Sequence, residues 1–185
     1  MSTVPLKPTV PDYEADDVLV VSEPEQLRAL ADDLRARIIG ILREHARSTT
    51  DLAGELGIPK GTVGHHLKVL EKAGLIHVVR TRQVRALTEK YYGRVARLFV
   101  IKSKDDPELV ATVAAGAFRQ AAAEIERVRT DARMTQALVH ARLGEADARR
   151  FTRRLDKLVD DFRARESSEG ELYGLALGFY PLEQP

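Results

Sequence analysis

The 185-residue chain contains no cysteine and no tryptophan, and aromatic residues make up only 5% of it. Without cysteine there are no disulfides, thiolate metal sites, iron–sulfur clusters or cysteine nucleophiles. The N-terminus lacks the basic start, apolar stretch and small-residue cleavage site of a secretory signal. No apolar run approaches the ~20 residues that a membrane span needs. These absences predict a cytoplasmic protein without a membrane partner. Also missing are a nucleophile elbow, a phosphate-binding glycine loop and an acidic cluster interleaved with histidines. No enzymatic activity, catalytic residue or cofactor is therefore expected. The histidines His45, His77 and His140 are scattered, and only His65 and His66 adjoin. Successive helix residues point about 100° apart, so the adjacent pair cannot chelate one ion together, and no metal is expected.

What is present is charge, and its distribution is uneven. The net charge of +1 divides into −3 for residues 1–21, +7 for residues 22–104 and −3 for residues 105–185. A basic middle between acidic flanks is the electrostatic footprint of a polyanion partner, although a solvated charged surface gives the same count. The same boundaries organise the chain. Residues 1–21, with Pro5, Pro8, Pro11 and four acids, read as a flexible arm, in which Val18–Val21 is an apolar run able to dock as a strand or a staple.

Residues 22–104 carry the local signals of one domain. Ser22-Glu23-Pro24-Glu25 has the spacing of a helix-capping box. Leu27, Leu30, Leu34, Ile38, Ile41 and Leu42 then recur as one helical stripe, which Asp32-Asp33 breaks into two helices. Ser48-Thr49-Thr50-Asp51 is a second capping box, opening a helix that carries Leu52, Ala53 and Leu56 and stops at Gly57. Ile58-Pro59 makes a turn into a helix that runs to about Ala73, with Gly74 as a left-handed cap. Leu75–Val79 reads as a strand, Arg80–Arg85 as a basic bend, and Leu87 to about Val95 as the returning strand of a ribbon.

The segment Ser48–Leu75 has the spacing of a helix-turn-helix. Ala53 is the small residue where two helices cross, Gly57 the turn residue four positions on, and Val63 the apolar anchor six positions further. Val63, His66, Leu67 and Leu70 then face inward, His66 as a core histidine hydrogen-bonded near the turn. Lys60, Thr62, Gly64, His65 and Lys68 are left on the outer face. Gly61 and Gly64 cost a helix about 1 kcal/mol each, and are explained if the backbone must approach a surface such as a major-groove floor. Arg80, Arg82 and Arg85 are candidate phosphate contacts.

The run E-Q-L-R-A-L-A-D-D-L-R-A-R-I-I-G-I-L, followed by L-A-x-x-L-G and T-V-x-x-H-L-K-V-L-E-K-A-G-L-I, closely resembles the ArsR-type winged-helix repressors. The later E-K-Y-Y-G-R-V-A resembles a branch of that group with a Glu-Lys-Tyr-Tyr motif ending the wing. The resemblance covers about residues 22–100. It implies a homodimer on double-stranded operator DNA, with recognition helices in adjacent major grooves and basic wings on minor grooves or phosphates. Two departures stand out. The family often has proline where Asp33 stands, and its thiolate metal sensing is not inherited by a chain without cysteine. A winged helix used for protein–protein contact, regulating another transcription factor, is the alternative.

Residues 105–185 have a different character. Asp105-Asp106-Pro107-Glu108 opens a helix of about 25 residues rich in alanine. Val110, Val113, Ala114, Ala117, Ala121 and Val128 form its stripe, suited to close approach of a second copy. Met134–Leu143 reads as a strand, Glu145–Glu166 as a helix with Phe151, Leu155, Leu158, Val159 and Phe162 inward, Ser167–Gly170 as a turn and Leu172–Tyr180 as a final strand. Dimerisation and a pocket for a small-molecule effector, lined by Tyr173, Phe179 and Tyr180, are both open. The expected fold class is α+β, mainly helical: an N-terminal winged helix-turn-helix, then a helix-strand-helix-strand region.

Overall fold

A computed structural model of the chain describes residues 11–84, 87–102, 105–128, 134–165 and 171–182. The elements run β1 (Asp16–Val21), α1 (Pro24–Leu30), α2 (Asp33–Ile41), β2 (Arg47–Ser48), α3 (Thr49–Leu56), α4 (Lys60–Lys72), β3 (Ile76–Val84), β4 (Leu87–Arg94), β5 (Ala96–Ile101), α5 (Pro107–Ile125) and α6 (Glu145–Arg163). They fall into two compact units, Met1–Gln120 and Ala121–Pro185. The fold is α+β, as expected.

In the first unit α1 starts one residue later than its sequence suggests. Glu23 is the N-cap, and its N–H donates to Gln26 Oε1 at 3.4 Å. Pro24 has no N–H to be capped and a fixed φ, so it takes the first helical position and shifts the cap off Ser22. The break before α2 is made by Asp32, whose Oδ1 accepts the Arg35 N–H at 2.9 Å. Asp33 thereby becomes the first helical residue, a position that suits an acid as well as the family's proline. Arg35 closes the break by donating to the Ala29 and Arg28 carbonyls at 2.6 and 2.8 Å, where the end of α1 is electronegative. Leu27, Ile38 and Leu42 of the expected stripe are fully buried together with Leu52, Val63, Leu67, Leu70, Leu75 and Ile76.

Residues 11–21 are not a loose arm. β1 pairs in parallel with β5, from Asp16↔Ala96 to Val21↔Ile101. Ahead of it the Tyr13 hydroxyl donates to the Leu42 carbonyl and accepts the Arg94 N–H at 3.1 Å. A Cβ on Gly93 would stand 2.7 Å from the Tyr13 ring, so the glycine of the Glu-Lys-Tyr-Tyr-Gly run is required by this close approach. Burial pushes the Tyr13 phenol pKa up and pulls that of Arg94 down. Arg94 donates to the Arg97 carbonyl at 2.7 Å and covers the Phe99 ring at 4.6 Å.

The ribbon is longer than its sequence suggests. β3 and β4 pair antiparallel from Ile76↔Arg94 to Val84↔Leu87, with a bulge between Val78 and Arg80. Arg80 and Arg82 therefore lie within a strand and not in a bend. Residues on a projecting ribbon are solvated on both faces, and their polarity marks exposure rather than chain reversal. β2 adds to β4 through Arg47↔Tyr92 and Ser48↔Tyr91.

The small-residue helix α5 spans 19 residues, capped by Asp106, whose Oδ1 accepts the Leu109 N–H at 2.9 Å. Its stripe divides otherwise than expected. Val113 is buried in the core, with Leu109 and Val110 packed against it, while Ala114 and Ala117 are exposed. Apolar core contact outweighs alanine's weak burial, so Leu109, Val110 and Val113 claim the inner face, while Val128 of the same stripe is exposed.

In the second unit α6 forms as expected, but residues 134–143 and 171–182 are not strands. A strand is made by ladder hydrogen bonds to a neighbour, and a run rich in apolar residues alone supplies none. Phe151, Leu155 and Val159 are half-buried, Leu158 and Phe162 are exposed, and the Phe151 and Phe179 rings lie 6.3 Å apart. The expected turn at Ser167–Gly170 lies outside the described residues.

Candidate nucleic-acid interface

The helix pair α3–α4 builds the site from local rules. Ser48 is almost fully buried yet satisfied: its Oγ accepts the Asp51 N–H at 3.2 Å, and its own N–H donates to Asp51 Oδ2 at 2.9 Å. Ala53 is buried between the helices, and its carbonyl accepts the Ile58 N–H at 3.2 Å. Gly57 ends α3 at φ 68°, and Gly74 follows α4 at φ 68°, a region that glycine enters without strain. Pro59 caps α4 without a side-chain hydrogen bond, and no acid stands in the first turn. The positive end of that helix dipole is met by Lys60 instead.

Val63, Leu67 and Leu70 anchor α4 in the core. That rotation leaves Lys60, Thr62, His65 and Lys68 exposed and Gly64 half-exposed, as their spacing requires. A Cβ built on Gly61 or on Gly64 meets nothing within 4 Å. The fold itself gives no reason for glycine at either position. Gly54 on α3 has the same open space, and no periodicity signals it.

His66 departs from its expected role. Its Nδ1 is buried without a hydrogen-bond partner, and lies 3.8 Å from Asp32 Oδ1 at the α1–α2 break, away from the helix-turn-helix turn. The His65 and His66 rings meet edge-on with centroids 5.5 Å apart. Among the described residues no cluster of three or more His, Asp or Glu is placed to hold a metal.

On the ribbon Arg82 is exposed, and Arg85 lies outside the described residues. Arg80 is already engaged: its guanidinium stands 3.3 Å from Asp12 Oδ2 and covers the Tyr91 ring at 5.1 Å. Asp12 and Tyr13 were not legible as partners of the ribbon, because their contacts reach across 68 and 81 residues.

Residues 30–79 match the family described as a helix-turn-helix domain. The α3–α4 pair with its β3–β4 ribbon is a winged helix-turn-helix in fold. Over 69 residues the chain is 38% identical to the HTH-type transcriptional repressor SmtB of Mycobacterium tuberculosis, a stretch covering 37% of this chain. The chain spans about half the length, 50%, of the curated relatives it matches. Among solved structures, HlyU from Vibrio cholerae is 22% identical, with a TM-score of 0.35 over 53% of this chain and 89% of that one. The homodimeric winged helix-turn-helix DNA-binding domain of a possible ArsR-family regulator from Mycobacterium bovis is 20% identical, with a TM-score of 0.34 over 55% of this chain and 78% of that one. No helix among the described residues is long and apolar enough to cross a membrane.

Proposed function

We propose that the chain is a sequence-specific DNA-binding transcriptional regulator, not an enzyme, that acts in the cytoplasm as a homodimer and represses as its curated relative does. Residues 22–104 are its DNA-binding domain. Lys60, Thr62, Gly64, His65 and Lys68 of α4 enter the major groove, and Arg80, Arg82 and Arg85 of the ribbon lie on phosphates or in the minor groove. The observation that carries this reading is the outer face of α4: basic and short polar side chains around two helix glycines that nothing in the fold requires. Residues 105–185 hold the dimer, supported by the exposed Ala114 and Ala117 of α5. The exposed Tyr173, Phe179 and Tyr180 support an effector role for the same region.

The test is an electrophoretic shift with DNA from upstream of the protein's own gene at 50 and 200 mM salt, beside sedimentation of the free protein. Specific binding should weaken by about a thousandfold or more between those salts if six or more phosphates are neutralised, because each contact releases counterions. The free protein should sediment as a dimer. Equal affinity for unrelated DNA, or a monomer, would contradict the reading.

A further inference from the structure

Arg80 is one of the cations offered to DNA, yet in the structure it rests on a carboxylate of its own chain. Its Nη2 and Nη1 lie 3.3 and 3.4 Å from Asp12 Oδ2. The same oxygen is 3.7 Å from His45 Nδ1, while Asp12 Oδ1 accepts the Ala46 N–H at 2.8 Å. The Asp12 N–H donates to the Glu44 carbonyl at 2.9 Å, and Tyr13 is held by Leu42 and Arg94. These anchors need an acceptor oxygen, a backbone donor and a phenol, none of them a negative charge. The charge itself is directed at Arg80, with His45 behind it.

A carboxylate on a guanidinium makes the charge-assisted hydrogen bonds that a phosphate oxygen would make in its place. The pair stays within reach of a competitor, since the Arg80 and Asp12 side chains are 45% and 26% exposed. The Tyr91 ring under the guanidinium fixes where the cation sits, whichever anion meets it.

We propose that Asp12 is a built-in phosphate mimic: it occupies Arg80 when DNA is absent, and a backbone phosphate must displace it when DNA binds. The proposal rests on the DNA-binding reading above. It makes the acidic segment ahead of β1 a brake on the ribbon's affinity for DNA of any sequence. A residue that merely positioned Arg80 for DNA would act in the opposite direction.

The experiment titrates full-length wild type, Asp12→Asn, Glu14→Gln, Arg80→Gln and the Asp12→Asn/Arg80→Gln double variant against two labelled duplexes across a range of salt. One duplex comes from upstream of the protein's own gene, and the other is an unrelated sequence of equal length. Asparagine keeps the oxygen that accepts from Ala46 and removes the charge. Asp12→Asn should bind both duplexes about two- to fivefold more tightly at low salt, since an exposed ion pair is weak. Its log–log salt dependence should be steeper by about one counterion. The gain should vanish in the Arg80→Gln background, and Glu14→Gln should show little of it. Asp12→Ser should reproduce the gain should the asparagine variant not fold. Unchanged or weaker binding by Asp12→Asn would overturn the proposal, as would a gain that persists without Arg80 or appears equally in Glu14→Gln. Wild-type protein that binds neither duplex defeats the DNA-binding reading and this one with it, whereas wild-type binding without an Asp12→Asn gain defeats this one alone.

Discussion

Replacing Lys60, Thr62, His65 and Lys68 together by alanine should weaken operator binding at least a hundredfold while leaving the fold intact. All four side chains are exposed on α4, opposite the buried Val63, Leu67 and Leu70. Each base-contacting member contributes about 1–3 kcal/mol of specific affinity, so even partial additivity removes more than two decades. Stability should hold or rise, because alanine is the best helix former and no core contact is lost. Circular dichroism and thermal melting check the fold, and titration against the upstream duplex checks the affinity. Wild-type affinity in a folded quadruple variant would mean that α4 is not the reading helix.

The second large effect separates stability from binding. Gly64→Ala, alone or with Gly61→Ala, should raise the melting temperature yet lower operator affinity by tenfold or more. Alanine in place of a helix glycine stabilises by about 0.5–1 kcal/mol, chiefly by restricting the unfolded chain, and the added Cβ meets nothing within 4 Å. In an isolated protein both glycines are therefore pure loss. If the helix backbone is pressed into a major groove, the same methyl groups stand between protein and bases. Opposite signs in melting and binding are the expected signature. Higher stability with unaltered affinity would leave the glycines without a role at the interface.

The parts of this fold that were legible in the sequence are those fixed by near neighbours. The Ser48–Asp51 cap, the stop at Gly57, the cap at Gly74 and the buried face of α4 each depend on residues within a turn or two. The outer face of α4 follows from that inner face by geometry alone, so Lys60, Thr62, His65 and Lys68 stood where their spacing put them. What was not legible depends on distant partners. The length of the ribbon is set by pairing with β4, and its polar residues look like a bend until that ladder is seen. Tyr13 fills the space above Gly93, and Asp12 meets Arg80, across most of the first unit's length in sequence. The inner face of α5 went to Leu109, Val110 and Val113 because a core stood ready to receive them. The segments 134–143 and 171–182 show the converse, since apolar residues did not make strands without a ladder.

On the DNA-binding reading, the outer face of α4 lies in the major groove of double-stranded DNA. The absence of native cysteine allows one thiol to be placed at will. His65→Cys, with an iron chelate attached to the thiol and at protein concentrations raised to offset the lost His65 contact, should bind the upstream duplex and cut its backbone at two clusters of positions. A two-fold dimer places those clusters about one helical turn, ~34 Å, apart, centred on major-groove faces. The same chelate on Lys157→Cys in α6 serves as the control and should give no such clusters. Paired major-groove cleavage from position 65 is expected; a labelled protein that still binds the duplex without cutting it there would show that α4 does not lie in the groove.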